Sequence, residues 1–405
     1  MRLARRTALA LVPLIGLPLG ARADDTVRVV EAVGPAVASI VAEPARGEAR
    51  HMGSAVVIDP DGYLLTNAHV VAGARRLLVS LPGRPAFEGH LLATAPEHDL
   101  ALLRVDAGGP LPAARLARPG AEKVGQTCLA IGNALGLEST VTRGIVSARG
   151  RRLVHEGRPL GADFLQTDAT IHPGSSGGPL VDLSGDVIGI VIAVGAETAG
   201  VGFAIPVARV RQVLAALSSP LTLRDRWLGL EVEDAPGDGG ARVVTIEAGG
   251  PADAAGLRPG DVITSAGPVE VRTAFDLHAR FLGPKVQAVR LAVQGPDGQR
   301  RGARLAPAAP PWATGLRARL GASLRRATQG AGLEVEAVDE GGPAAAIGLR
   351  PGDLVVGFGP ERAPVRASDD LRALWAEVDA LPPGRLLGVT IRRAGRQYWG
   401  ELRLR

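Results

Sequence analysis

A long internal repeat constrains the C-terminal half of this chain more than any other feature of the sequence. Residues 249–261 recur as residues 341–353, identical at 11 of 13 positions and offset by 92 residues. The same offset carries Leu228 and Gly229 onto Leu320 and Gly321. A solenoid unit is only about 20–50 residues long, so this period is too long for one. The repeat therefore predicts two copies of one small domain of about 90 residues.

Each copy is predicted to contain strands, a short helix, a turn with Pro-Gly-Asp and a later helix. Strands are expected at residues 241–246 and 333–338, and the later helices at residues 273–282 and 368–378. A Pro/Ala-rich stretch, residues 306–313, is expected to hold the copies apart as a fairly stiff spacer. The predicted boundaries are residues 218–308 for the first copy and 312–405 for the second.

The repeated Gly-Leu-Arg-Pro-Gly-Asp element and the apolar-Gly-apolar loop upstream of it resemble the PDZ domain. In that family the N–H groups of the loop receive the C-terminal carboxylate of a peptide, which adds as a strand. Glycine permits the close approach, and flanking apolar side chains shape a pocket for the last peptide residue. The resemblance implies C-terminal peptides as partners. The predicted contacts are Trp227, Leu228, Gly229 and Leu230 in the first copy and Leu320, Gly321 and Ala322 in the second.

The positive charge of the chain is concentrated at its start. Lys and Arg outnumber Asp and Glu by 46 to 41, and residues 1–23 hold four arginines and no acid. Their charged start, apolar segment and small-x-small end predict a signal peptide cleaved after Ala23. An uncleaved membrane anchor is the alternative, although the apolar segment is shorter than the roughly 20 residues that span a bilayer. The mature chain has a charge of only +1, so neither a nucleic-acid partner nor a stable membrane span is expected.

Residues 24–206 consist of short strand-like runs broken by Gly, Pro and Asp, which is typical of a β-sandwich or β-barrel. Three polar residues stand out at the ends of such runs. His69 follows an apolar strand, Asp99 precedes one, and Ser176 lies among glycines before a third. Serine is a weak nucleophile at neutral pH, so it needs a base to take its proton and a carboxylate to orient that base. The three residues are therefore a candidate catalytic triad.

The order of these residues along the chain discriminates between two folds. The sequence around Ser176 also satisfies G-x-S-x-G, the nucleophile elbow of α/β-hydrolases, in which the acid and then the histidine follow the serine. The only histidine after Ser176 is His278, which lies in the first repeat copy. The order His69, Asp99, Ser176 is instead that of chymotrypsin-like enzymes built on β-barrels.

Collinear motifs along nearly the whole mature chain resemble the HtrA/Deg family of periplasmic serine proteases. They lie at residues 53–59, 61–71, 130–133, 140–147, 166–169 and 200–206. The resemblance implies a mainly β fold, with a two-barrel chymotrypsin/trypsin-like protease domain at residues 24–217 and then two α+β PDZ domains. It also implies a periplasmic location and a homotrimer or higher homo-oligomer. No cofactor or metal is expected, since the sequence has no nucleotide or metal motif.

The same resemblance assigns roles to individual residues. His69 acts as general base and then acid, Asp99 orients it, and Ser176 is the nucleophile. The N–H groups of Gly174 and Ser176 form the oxyanion hole. A strand is expected to pair with the substrate backbone, and the assigned substrate-binding residues are Ser175, Ile190, Val191, Ile192 and Ala193. Asparagine is usual in the family at the position of Ser175, and the substrate strand is commonly more polar than Val191 and Ile192.

These features predict an exported, ATP-independent serine endopeptidase that degrades unfolded or misfolded proteins in envelope quality control. It is expected to cut after small or medium aliphatic residues, through an acyl-enzyme at Ser176. Two alternatives stay open. One is a proteolytically silent PDZ chaperone or scaffold, kept open by Ser175 and the apolar substrate strand. The other is a regulatory protease that shares the chemistry and cuts one specific signalling protein.

Overall fold

The computed structural model describes residues 25–44, 50–132, 140–155, 158–192, 200–224, 226–283, 285–327, 332–360 and 371–405. The predicted signal peptide and Ala193 of the predicted substrate strand lie outside these ranges. Within the described ranges, no helix has the length and apolar character needed to cross a bilayer.

The first barrel closes six antiparallel strands around a core of valine, leucine and isoleucine. Its elements are α1 (Asp25–Val33), β1 (Val37–Pro44), β2 (His51–Asp59), β3 (Tyr63–Thr66), α2 (Ala68–Val71), β4 (Ala74–Ser80), β5 (Phe87–Ala95) and β6 (Leu100–Val105). The strand order is β1-β2-β3-β6-β5-β4. Closure pairs every strand on both sides and so removes free sheet edges. Side chains such as Ile40, Leu64 and Leu102 are fully buried inside.

The second barrel repeats this architecture, and its serine loop contacts the first barrel. Its strands are β7 (Thr127–Gly132), β8 (Thr140–His155), β9 (Arg158–Thr167), β10 (Pro179–Asp182), β11 (Val187–Ile192) and β12 (Gly202–Pro206). Their order is β10-β11-β12-β9-β8-β7. The loop between β9 and β10 contains Ser176. Its carbonyl oxygen accepts a hydrogen bond from the backbone N–H of Ser54 on β2, at 2.8 Å.

Two helices, α3 (Val207–Leu217) and α4 (Pro220–Arg224), lead from the barrels to the first repeat copy. That copy contains β13 (Leu230–Asp234), β14 (Ala241–Ile246), α5 (Pro251–Ala254), β15 (Val262–Ala266), β16 (Val269–Glu270), α6 (Ala274–Leu282), β17 (Val289–Gln294) and β18 (Arg300–Leu305). Its sheet runs β13-β14-β15-β17-β18, with β16 paired to β15. Strand β14 has the bounds that the sequence predicts, and α6 begins one residue later than predicted.

The second copy has the same sheet order as the first. It contains α7 (Pro311–Leu320), β19 (Ala322–Arg326), β20 (Leu333–Val338), α8 (Pro343–Ala346), β21 (Leu354–Pro360), α9 (Leu371–Ala380), β22 (Leu386–Arg393) and β23 (Arg396–Arg403). Its sheet runs β19-β20-β21-β22-β23. One strand order in both copies is the structural counterpart of the sequence repeat.

Residues 306–313 do not form the expected spacer, because they are paired and packed. Ala308 and Trp227 exchange two backbone hydrogen bonds of 2.8 and 3.0 Å. Helix α7 then begins at Pro311, since proline suits the first helical position, where no intrahelical N–H bond is needed. The rings of Trp227 and Trp312 meet edge to face with centroids 6.2 Å apart. Burial of these aromatic rings draws the connection onto the second copy.

The first copy is packed against the first barrel through α6. The ring of Phe275 meets Tyr63 edge to face at 5.8 Å. Arg280 reaches the carboxylates of Asp59 at 2.8 Å and of Asp61 at 3.2 Å. Burial raises the pKa of Asp59, and the neighbouring guanidinium of Arg280 opposes that shift. Aromatic packing and a partly buried ion pair therefore fix this copy beside strands β2 and β3.

Candidate active site

The first barrel brings His69 and Asp99 together. His69 lies on α2, and its Nδ1 is 2.9 Å from Oδ2 and 3.0 Å from Oδ1 of Asp99. The backbone N–H of His69 also donates to Oδ1, at 3.0 Å. One carboxylate therefore holds both the ring and the backbone of the histidine. Contact through Nδ1 leaves Nε2 available for proton transfer, and the His69 side chain is 49% exposed.

Asp99 adopts a backbone conformation that is uncommon outside glycine. Its φ of 52° and ψ of 42° lie in the left-handed region, at the end of the 3₁₀ turn Pro96–His98. Such a conformation costs on the order of 1–3 kcal/mol and is concentrated at functional sites. The Nδ2 of Asn67 donates to the carbonyl oxygen of Asp99 at 3.0 Å and so stabilises this turn. The sequence motifs gave Asn67 no role of its own. Its position two residues before the predicted base His69 is the sequence feature that could have pointed to it.

Ser176 lies in a tight turn between two glycines that have positive φ values. Gly174 has a φ of 92° and Gly177 a φ of 87°, and only glycine adopts such values without strain. A Cβ at Gly177 would lie 2.2 Å from the carbonyl oxygen of Ser54. Ser176 itself is largely buried. The turn therefore brings the backbone of the serine loop into direct contact with β2.

Ser175, the predicted substrate-binding neighbour of Ser176, has its side chain buried against β7. A Cβ at Gly132, the last residue of β7, would lie 2.7 Å from the Oγ of Ser175. The backbone N–H of Ser175 donates to the carbonyl oxygen of His172 at 3.0 Å. Ser175 is 6% exposed. Its role in the structure is to pack the turn onto the second barrel.

The predicted substrate strand is already paired inside the second barrel. Val191 donates its N–H to Gly178 at 2.8 Å and accepts from Gly177 at 3.0 Å. Successive residues of a strand bond to opposite sides, so Ile190 and Ile192 face β12, where they pair with Ile205 and Phe203.

The predicted pairing of Ile190, Val191 and Ile192 with a substrate backbone stays a prediction. Backbone groups of these residues pair within the barrel, and a carbonyl oxygen that accepts one hydrogen bond keeps a second lone pair. All three side chains are buried. Ala193, the fourth predicted strand residue, lies outside the described residues.

Two other reactive side chains are unsuited to catalysis. Cys128 is fully buried in β7, and burial raises the pKa of its thiol to about 11, so it stays protonated. His278 on α6 is buried against α3, and burial lowers its pKa to about 4. Its Nδ1 lies 3.1 Å from the carbonyl oxygen of Ala215. Among the described residues, no group of three or more His, Cys, Asp or Glu side chains could hold a metal ion.

The predicted peptide loop of the first copy leads directly into an edge strand. Gly229 has a φ of 68° immediately before β13, and β13 ends the sheet. Leu228 is buried, whereas Trp227 and Leu230 are partly exposed. A cavity of about 970 Å³ runs along β13, between this strand and helices α3 and α4. Leu230 and Val232 line it.

The corresponding loop of the second copy is covered by the chain itself. Leu320 is the last residue of α7 and Gly321 is its left-handed cap. Leu320 and Ala322 are 4% and 1% exposed. Helix α7 packs so closely on α9 that a Cβ at Gly315 would lie 2.3 Å from the ring of Trp375. The predicted peptide contacts Leu320, Gly321 and Ala322 are all buried in the structure.

Comparison with known families agrees with this architecture. The profile of the trypsin-like peptidase domain matches residues 53–190, and that of the PDZ domain matches residues 242–295. One similar solved structure is an HtrA-type protease AlgW with a tripeptide, whose sequence is 34% identical to this chain. The match covers 70% of this chain and 97% of that chain, with a TM-score of 0.43. Fold and family profiles define a trypsin-like serine protease with a PDZ domain.

Relatives assign the chain to a narrower group. A probable periplasmic serine endoprotease, DegP-like, from Ectopseudomonas mendocina is 36% identical over 86% of this chain and 79% of its own length. A relative of the same description from Halomonas elongata is 35% identical over 88% of this chain and 80% of its own length. The chain belongs to the HtrA/Deg family of periplasmic serine proteases.

Proposed function

We propose that this chain is an ATP-independent serine endopeptidase that degrades unfolded or misfolded proteins in the cell envelope. The observation that supports it most strongly is the two-point contact of Asp99 with Nδ1 of His69, on the barrel that faces the Ser176 turn. An imidazole held in this way is the general base that a serine nucleophile needs. The HtrA/Deg family supplies the reaction class, and the periplasmic descriptions of the relatives support the compartment.

The reaction proceeds through an acyl-enzyme. His69 Nε2 takes the hydroxyl proton of Ser176 while Oγ bonds to the scissile carbonyl carbon. The N–H groups of Gly174 and Ser176 stabilise the resulting oxyanion. The imidazolium then gives its proton to the leaving amine as the C–N bond breaks. Water, deprotonated by His69, attacks the ester and releases the new carboxyl end, and Ser176 recovers its proton.

The same proposal covers export and assembly. Residues 1–23 act as a signal peptide with cleavage after Ala23, as their charge and small-residue pattern supports. The protease domains associate as homotrimers or larger homo-oligomers, by analogy with the family. Neither a cofactor nor a nucleic acid takes part.

Covalent labelling of Ser176 tests the proposal against a silent scaffold. A fluorophosphonate probe is expected to modify the wild-type chain, since the probe reacts with a serine whose proton a neighbouring base removes. Mass spectrometry of the digested product should place the adduct on Ser176. A folded chain that stays unlabelled, also after addition of a peptide for the PDZ domain, would support the scaffold instead.

Peptide binding is proposed for the first copy, whose edge strand borders the cavity. A C-terminal peptide would add beside β13, with its carboxylate at the N–H groups around Gly229 and its last side chain near Leu230. The proposal is limited to the first copy because the cavity lies along β13. The peptides that a protein-degrading enzyme meets are the unfolded chains and new C-terminal ends that it produces.

A matched pair of variants tests which copy binds. Val232→Glu is expected to weaken binding at least about tenfold, because it places a carboxylate on β13 beside the added peptide strand and repels the peptide carboxylate. Leu324→Glu alters the equivalent residue of the second copy, 92 positions later and also partly exposed, and should leave affinity unchanged. Fluorescence anisotropy of a labelled peptide with a free, apolar C-terminus measures both, with the amidated peptide as control. Equal losses in the two variants would contradict the assignment.

A further inference from the structure

The Gly53-Ser54 pair on β2 belongs to a motif of the protease domain that the triad leaves unexplained. We infer that Ser54 is a positioning residue: its side chain holds the oxyanion turn around Ser176 in the conformation that catalysis requires. This inference rests on the proposed role of Ser176 as nucleophile. Ser54 does not touch the reacting atoms, and it acts through the backbone of the serine loop.

Three hydrogen bonds connect Ser54 to the site, and two of them end on the serine loop. Its Oγ donates to the carbonyl oxygen of Gly174 at 2.7 Å. Its backbone N–H donates to the carbonyl oxygen of Ser176 at 2.8 Å. The carbonyl oxygen of Ser54 accepts from Oγ1 of Thr66 at 2.7 Å. Ser54 and Thr66 are both fully buried. Competition from water is therefore weak at these bonds.

These bonds fix the peptide planes on either side of the oxyanion donor of Ser176. A held carbonyl fixes the plane of the peptide unit that follows it, because the unit is rigid. Ser54 thereby fixes the units 174–175 and 176–177. The unit between them, 175–176, carries the N–H of Ser176, and its rotation is limited from both ends. The N–H of Gly174 belongs to the unit that precedes the first fixed plane.

Such restraint is needed because the turn is made of residues with little conformational preference. Gly174 has a φ of 92°, and glycine populates positive and negative φ about equally. Within the turn, the 174–175 peptide unit is held by the bond from the N–H of Ser175 to the carbonyl oxygen of His172. The bond from Ser54 to the carbonyl oxygen of Gly174 adds a restraint on the same unit from outside the turn. Oxyanion stabilisation depends on donors that are already oriented before the reaction.

Close packing around Ser54 explains why glycine precedes it. A Cβ at Gly53 would lie 2.6 Å from Val70 and 3.2 Å from the carbonyl oxygen of Ser176. Glycine at position 53 thus allows β2 to approach both the His69 helix and the serine loop. Ser54 then supplies the hydroxyl, and Thr66, three residues before His69, connects this contact to β3, the strand that leads into the helix of the base. The pair therefore links base and nucleophile across the two barrels.

Removal of one hydroxyl tests the inference. Ser54→Ala deletes the bond to Gly174 and keeps the backbone bond to Ser176. On a chromogenic peptide substrate, kcat is expected to fall about 10- to 100-fold, with KM within twofold of wild type. Affinity for a peptide boronate, which forms a tetrahedral adduct with the serine, should fall in parallel. Affinity for an unreactive product peptide should not change, a split that a merely structural defect would not produce.

Matched variants separate the possible outcomes. Ser39→Ala removes a buried hydroxyl from the residue opposite Ser54 on β1 and is expected to retain wild-type kcat. Ser54→Cys, with similar volume and a weaker donor, serves if the alanine variant does not fold, and the same loss of kcat is expected. Wild-type kcat and boronate affinity in either folded Ser54 variant would overturn the inference. Failure of the proposed function is recognised separately, by a Ser176→Ala variant that still cleaves.

Discussion

Ser176→Ala is expected to stop degradation of casein, lowering kcat by about 10⁴-fold or more, to the level of background hydrolysis. Casein is permanently unfolded, so the assay reports cleavage and not unfolding of the substrate. The loss follows because alanine has no Oγ to form the acyl-enzyme, and the thiol of Cys128 cannot replace it. Cys128 is buried in the second barrel with a thiol pKa raised to about 11, far from ionisation at neutral pH.

The control for this variant is Ser184→Ala, in an exposed turn of the same barrel. It removes a serine hydroxyl outside the site and should keep wild-type activity. Binding of a PDZ peptide should be the same in both variants, since the peptide cavity lies along β13 and not at the serine turn. Casein degradation by Ser176→Ala at the rate of Ser184→Ala would refute the nucleophile assignment.

The sequence allows strands and the candidate triad residues to be predicted because both depend on local patterns. Strands β14 and β20 begin and end at the predicted residues, since turn residues bound their apolar alternation on both sides. Short motifs likewise carry His69, Asp99 and Ser176, because each motif is a strand end or a glycine turn that the sequence specifies locally. In both cases the local sequence is enough to predict the feature.

Contacts between distant segments could not be anticipated in the same way. The hydroxyl of Ser54 meets Gly174 across 120 positions of the chain, and no periodicity reports such a pairing. The interior position of β11 depends on two neighbouring strands, so an apolar run alone did not reveal that Val191 is already paired. The return of α7 onto α9 depends on the fit of Gly315 against Trp375. Each of these features is set by tertiary packing.

Asp99→Asn is expected to lower kcat by about 10⁴-fold at neutral pH, with little change in KM. The geometry predicts why an almost isosteric change is so costly. Oδ1 accepts the backbone N–H of His69 at 3.0 Å, so the amide oxygen of asparagine takes that position and its NH₂ group faces Nδ1. The ring must then accept at Nδ1 and carry its proton on Nε2. A histidine in this tautomer cannot take the proton of Ser176.

Asp106→Asn provides the control, because Asp106 is exposed and lies outside the site. Its Oδ1 accepts a hydrogen bond from the N–H of Gly108 in a surface turn, and the amide oxygen of asparagine can accept the same bond. It should match wild type in kcat and in the rate of fluorophosphonate labelling. For Asp99→Asn the labelling rate should fall along with kcat, because both depend on removal of the serine proton. Thermal unfolding separates this effect from misfolding, since Asn tolerates the left-handed φ of position 99 at least as well as Asp. If the two variants had equal kcat, Asp99 would have only a structural role, and His69 would need another partner to fix its tautomer.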